Sequence, residues 1–116
     1  MAKVVITNDV VEFNKPTTVN LTAGTTDGFL FDFSPADNKM VLLFQNTAEA
    51  AGTVTVKKGN GLQGVKDLDT LSIPAAGFVV YELESGAFKN VSGTDKGKVL
   101  VVPSAITIKA SAIQLA

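Results

Sequence analysis

Any chemistry this chain performs has to come from carboxylates, hydroxyls and lysines, because its 116 residues include no histidine, cysteine, tryptophan or arginine. Two carboxylate pairs have a spacing that could make them act together. Asp67 and Asp69, and likewise Glu82 and Glu84, stand two residues apart on segments that read as strands, so each pair would share a face. Such a pair could share a proton or hold calcium. Neither lies in a calcium-loop spacing, and paired carboxylates on a solvated strand face are the ordinary arrangement. Without histidine, nucleophilic catalysis is reduced to a Ser–Lys arrangement, and no motif for one is present. The expectation is a protein that is not an enzyme and carries no cofactor or metal.

Two glycine-containing stretches invite a nucleotide reading and fail it on physical grounds. Gly59-Asn60-Gly61-Leu62-Gln63-Gly64 matches G-x-G-x-x-G and follows a strand. That motif works only where a helix starts in the loop and points its N–H groups at the pyrophosphate. Here Val65–Ile73 alternates like a strand and runs into Pro74. Lys58-Gly59-Asn60-Gly61 reads instead as a hairpin turn, since Asn-Gly tolerates the positive φ of tight hairpins. Thr94-Asp95-Lys96-Gly97-Lys98 lacks the first glycine and the Gly-Lys-Ser/Thr ending of a phosphate loop.

The elements that would position these residues are strands. Lys3–Thr7 is an apolar β-branched run, and Thr17–Thr22 alternates Val19 and Leu21 against polar neighbours. Phe29, Phe31 and Phe33 fall at period two and read as a core wall; a ligand-stacking platform is the functional alternative. Lys39–Gln45 is apolar on both faces, as a central strand covered on two sides would be. Thr53–Lys57 alternates cleanly, with Val54 and Val56 pointing in. Leu68–Ile73, Phe78–Leu83, Lys98–Val102, Ala105–Lys109 and Ala112–Leu115 follow. Ser85-Gly86 and Ser92-Gly93 mark turns. Pro103 requires the strands on either side of it to lie in different sheets or to meet at a bend. Thr47–Ala51 is too short to be more than a turn. The pattern predicts an all-β fold, a single antiparallel β-sandwich or barrel (jelly-roll-like or Ig-like) of eight to ten short strands with essentially no helix.

The bulk numbers bound the rest. A chain of this length forms one domain, residues 1–116, and can bury a core without staples. Absent cysteine rules out a disulfide framework and fits synthesis in the cytoplasm. The net charge is −1 and the ten lysines are scattered, so no nucleic-acid footprint is expected. Mean hydropathy is positive, but no apolar run approaches the roughly 20 residues of a membrane-spanning helix. The N-terminus lacks the apolar core and cleavage site of a signal peptide.

Three segments offer surface for a partner. The run Lys3, Val4, Val5, Ile6 and Thr7 can pair with a neighbour's sheet edge, with residues 1–8 acting as a contacting arm; the alternative is an ordinary first strand. The loop Gly59, Asn60, Gly61, Leu62, Gln63 and Gly64 is the second, and Ser92–Gly97 the third.

The runs Gly59-Asn60-Gly61-Leu62-Gln63-Gly64-Val65-Lys66-Asp67-Leu68, Glu82-Leu83-Glu84-Ser85-Gly86-Ala87-Phe88-Lys89-Asn90-Val91-Ser92-Gly93 and Ile108-Lys109-Ala110-Ser111-Ala112-Ile113-Gln114-Leu115 resemble small β-sandwich virion proteins of tailed bacteriophages. The likeness is strongest to the capsid decoration (head-stabilisation or head-fibre) protein and spans roughly residues 40–116. It implies a structural protein made in the host bacterial cytoplasm that binds the outside of an assembled capsid. Its partner would be the major capsid protein, and it would serve as a monomer, dimer or trimer. No residue-level motif carries over. The alternatives are another phage structural subunit, such as a tail-tube or head–tail joining protein, and a carbohydrate- or ligand-binding β-sandwich module. The latter class usually exposes tryptophan or other aromatic platforms; this chain has no tryptophan and a single tyrosine, Tyr81.

Overall fold

The computed structural model describes residues 3–33, 39–61, 66–68 and 70–115. Short apolar alternations, each closed by glycine, proline or an amide residue, produce ten strands among them: β1 Val4–Ile6, β2 Asn8–Val10, β3 Thr22–Ala23, β4 Phe29–Asp32, β5 Met40–Asn46, β6 Gly52–Val56, β7 Leu71–Ile73, β8 Phe78–Tyr81, β9 Lys98–Pro103 and β10 Ile108–Gln114. No α-helix occurs among the described residues. The first sheet has the order β1-β4-β9-β6-β7 and the second β2-β10-β5-β8, with β3 also pairing β10. The all-β sandwich expected from periodicity is the fold observed.

Period-two alternation directs one face of each sheet inward. Phe29 and Phe31 of β4, Val99 and Val101 of β9, and Val54 and Val56 of β6 are fully buried from the first sheet. Leu42 and Phe44 of β5 meet them from the second, together with Ile108, Ala110 and Ala112 of β10. Phe31 and Phe44 touch edge-to-face across the gap, with ring centroids 5.9 Å apart at 84°. Such a contact adds about 1 kcal/mol beyond area burial. Ala110 is the register partner of Phe44, so a small residue beside a large one makes room for the ring. The three phenylalanines at 29, 31 and 33 are a core wall and not a platform, each fully buried.

Pro103 ends β9, and the chain then changes sheets to enter β10, so of the two expectations for that proline the separate-sheet one holds. In place of the two strands expected at Ala105–Lys109 and Ala112–Leu115 there is one, Ile108–Gln114. Asn46, buried at the end of β5, ties this region together. Its Nδ2 donates to the carbonyls of Ala50 at 2.8 Å and Ile73 at 3.4 Å, while its Oδ1 accepts from the Ala48 N–H at 3.0 Å. A buried amide satisfied in this way links β5 to the end of β7 in the opposite sheet.

Three details differ from the expectation. The sandwich is not wholly antiparallel: β1 runs parallel to β4, and β2 parallel to β10. β1 and β2 are one stretch of chain that leaves one sheet at Thr7 and enters the other, and no hairpin ties either to its neighbour in a fixed sense. Thr17–Thr22 is not a strand; residues 11–21 lie outside both sheets, where Pro16 supplies no donor, and only Thr22–Ala23 pairs. On β5, Met40, Leu42 and Phe44 are buried but Val41 and Leu43 are only half-buried. The outer face of this sheet is therefore not covered over β5 as a two-sided core strand would require.

Candidate functional site

The three segments picked out as partner surface meet at one place. Lys3 precedes β1. Asn60 lies in the loop after β6, and Ser92–Asp95 form the tip of a turn that leads into β9. Together with Lys58, Asn90 and Leu100 they line a concavity of about 270 Å³. Of the sheet itself, Leu100 lines it. Val5, Leu30 and Leu100 are register partners on β1, β4 and β9, so they share the face turned away from the core. Leu30 is buried on that face, Leu100 half-buried, and Val5 is 58% exposed.

Local chemistry explains why the loops converge. Residues 89–99 fold back as a narrow loop in which Lys89 bridges to Val99, the Asn90 N–H donates to Lys98 O at 3.0 Å and the Gly97 N–H to Asn90 O at 2.8 Å. Asn60 clamps this loop from the side: its Oδ1 accepts from the Val91 N–H at 2.7 Å and its Nδ2 donates to Ser92 O at 3.0 Å. The Gly59 N–H donates to Ala87 O at 3.0 Å, and a Cβ at position 59 would lie 2.3 Å from Lys89 O. Only glycine allows this approach of two backbones. Gly61 rests against the Val91 side chain.

The hairpin expected at Lys58–Gly61 is therefore corrected. β6 and β7 are antiparallel partners, but the chain between them spans residues 57–70, and neither Asn60 nor Gly61 has positive φ. The Asn-Gly pair docks a loop on its neighbour instead of turning a tight hairpin, because the side-chain amide finds backbone partners across the gap. Leu62, Gln63 and Gly64 lie outside the described residues, as does Asp69.

Two ion pairs hold the rim. Lys3 Nζ lies 3.1 Å from Asp95 Oδ2, linking the start of β1 to the 92–97 turn. Asp67 braces the base of the 57–61 loop, accepting from the Lys58 N–H at 2.8 Å and lying 3.2 Å from Lys57 Nζ. The Lys58 N–H and the Lys57 side chain hold the Asp67 carboxyl below its ordinary value. Asp67 thus acts as a loop brace. Glu82 and Glu84 are both exposed, on either side of buried Leu83. No group of acidic residues that could hold a metal ion occurs among the described residues.

What lines the rim decides its chemistry. The Asn90 amide and the Ser92 and Thr94 hydroxyls line the concavity, Lys3 and Asp95 neutralise one another, and the Lys58 ammonium shares the field of Asp67 with Lys57. The concavity is polar, with two lysines and one aspartate in its lining. Two exposed apolar residues flank these lining residues: Val91, bonded to Asn60, and Val5, two strands from Leu100 on the same face. Polar groups with apolar neighbours form the kind of surface another protein docks on. Of the first candidate segment, Lys3 and Val5 face outward, Thr7 is exposed where the chain changes sheets, Val4 packs against the core and Ile6 lies within it. Residues 3–8 are thus woven into the sheet edge, and a partner would meet Val5 and Lys3.

Lys58, Asn90 and Leu100 were not singled out from sequence, since only the folded loops bring them to the rim. Phe78–Leu83 reads as a strand in the sequence, but its exposed face does not stand out there: Phe78 and Val80 are 57% and 65% exposed. The signal was present in Phe78-Val79-Val80-Tyr81, four apolar residues that leave no polar face for solvent. No protein-family model, curated protein or solved structure matches this chain.

Proposed function

We propose that this chain is a structural virion protein of a tailed bacteriophage, one that binds the outer surface of an assembled capsid and reinforces contacts between its subunits. The observation that carries this reading is the convergence of Lys3 and Val5, Asn60, and the 92–95 turn on one surface. Segments that are remote in sequence build one patch with lysines and hydroxyls at its centre and apolar flanks. The sequence resemblance over residues 40–116 supplies the capsid as partner.

The physical mechanism is linkage. A ligand that binds the assembled shell and not its separated subunits stabilises the shell by mass action. Each copy needs only an interface on the order of 800 Å² per partner, because many symmetric copies act together. The Lys58 ammonium would pair with a carboxylate on the shell, and Val5 and Val91 would lose water against it. Interlocked loops suit this task, since a surface already held by Asn60 and Gly59 loses little freedom on binding.

Sedimentation with expanded, DNA-free phage shells tests the proposal. Saturable binding at a fixed number of copies per capsomer is expected, and a Val5→Asp, Lys58→Glu variant should bind at least about tenfold more weakly while staying folded. Point substitutions serve better than deleting residues 2–7, which would also remove Ile6 from the core. Absence of shell binding, or equal binding by the variant, overturns the assignment. Saturable binding to glycans without shell association would favour the ligand-binding module, for which the hydroxyls of Ser92 and Thr94 speak.

A further inference from the structure

The second sheet ends at β8, which is bonded to β5 along one side through the register Leu42↔Tyr81 to Gln45↔Phe78. Along its other side no described backbone group bonds to residues 78–81. Natural sheets blunt such an edge with lysine, proline, a bulge or an extremely short strand. The other three edges follow that rule: β7 has three residues and runs into Pro74, β1 is flanked by Lys3 in its ion pair, and β2 has three residues with Asp9 in the middle. β8 is one residue longer than these and is four consecutive apolar residues with no lysine, proline or acidic residue among them; its outward Val80 lies opposite half-buried Leu43 and its outward Phe78 opposite Gln45.

From this edge we infer that the protein forms a two-fold symmetric dimer in which β8 pairs antiparallel with β8 of a second copy. A row of open N–H and C=O groups is completed only by another extended strand, so the occupant must present one. β8 itself is a fitting partner. In an antiparallel pair, opposed residues share a face, so residue 78 can meet only an even-numbered residue of the same strand. A two-fold axis at Val79 sets Phe78 against the partner's Val80, and Val80 against the partner's Phe78, all on the outer face. No charge faces a like charge in this register. Glu82 falls opposite the partner's Ala76, and the two Glu82 side chains stand six residues apart, roughly 20 Å along the strands. That exceeds the Debye length of roughly 8 Å in physiological salt. The net charge of −1 adds little repulsion between copies. An isologous pairing also closes on itself, whereas β8 on another edge would propagate into open chains.

A strand this short falls below the roughly 1,200 Å² of a tight interface, so association belongs in the range of roughly 10–100 µM. This dimer does not depend on the capsid assignment.

Sedimentation equilibrium of the full chain, from about 5 µM to about 1 mM, tests it. The weight-average mass should climb from 12.1 kDa towards twice that value. Val80→Lys, at an exposed position, should raise the dissociation constant at least about tenfold, and Val5→Lys on the opposite edge should leave it unchanged. A mass that stays at 12.1 kDa up to about 1 mM overturns the inference, as does a limit of three or more chains, or dimerisation of Val80→Lys equal to the parent. Should Val80→Lys fail to fold, amide exchange of the parent chain decides. Protection of residues 78–81 that grows with concentration supports the dimer, and protection independent of concentration refutes it.

Discussion

β1 and β8 both end a sheet, on opposite sides of the sandwich, yet they are held by different means. β1 is anchored inward and braced outward. Ile6 lies in the core at 2% exposure, Val4 packs against it, and Lys3 reaches across the face to Asp95. The same chain continues through Thr7 into β2, so one run of residues closes that side of both sheets. β8 has no fully buried side chain; its Val79 and Tyr81 are half-buried, and its Phe78 and Val80 face water. The difference shows that an edge strand can be anchored by a fully buried side chain, as β1 is by Ile6, or only by half-buried ones and its backbone bonds to one neighbour, as β8 is. The first kind resists change and positions a surface; the second leaves bonding capacity unused.

The largest expected effect separates the two edges directly. Ile6→Ala should cost about 2–4 kcal/mol in chemical denaturation, because it leaves a cavity where β1 meets the core. Val80→Ala should stay within about 0.5 kcal/mol at concentrations where the chain is monomeric. Equal losses at both positions would mean that the two edges are anchored alike.

A second substitution asks whether the braced side depends on its docked loop. Gly59→Ala places a methyl against Lys89 O, a backbone atom that cannot swing away. A loss of about 1–3 kcal/mol is expected, together with faster amide exchange at Val91, whose N–H bonds to Asn60. A neutral result would mean that the 57–61 loop is not pressed on the 87–92 segment.

The smallest effect concerns acid. Asp9 on β2 accepts from the Asn20 N–H and Nδ2, both at 2.9 Å, and from Ser111 Oγ at 3.1 Å, pinning residues 11–21 to the second sheet. Burial raises its carboxyl, but the hydrogen bonds from Asn20 and Ser111 together outweigh burial and hold it below the ordinary 3.8. A lowered folded value contributes stability that is present above the unfolded value and lost as pH falls through the folded one. The stability difference between the parent chain and Asp9→Asn should therefore be constant near neutrality and shrink below about pH 4. A difference independent of pH down to about pH 2 would show that the carboxylate charge is not what holds the segment.

Much of this molecule could be read without coordinates wherever one residue's environment follows from its neighbours in sequence. Val54 and Val56 alternate with threonines and point inward, and Phe29, Phe31 and Phe33 line the core. Pro103, a residue that cannot donate to a ladder, marks the change of sheet. Reading failed where the outcome depended on a distant partner. Val19 and Leu21 alternate as a strand would, but residues 11–21 join neither sheet and are tied down by Asn20 on Asp9 instead. Asn60-Gly61 has hairpin chemistry, yet Val91 and Ser92 offer its amide better partners than a tight turn would.

By itself the sequence determined the class of fold and the chemistry within reach. Period-two burial and the distribution of turn residues act over a few positions, and the missing residue types restrict the chain to lysines, carboxylates, amides and hydroxyls. Tertiary structure alone decided which strand lies at which edge, the parallel sense of β1 and β2, and the meeting of Lys3, Lys58, Asn60 and Thr94 around one concavity. Those outcomes rest on contacts between residues tens of positions apart, where the gain from closing two sheets over a shared core selects one pairing among many that local pattern allows equally.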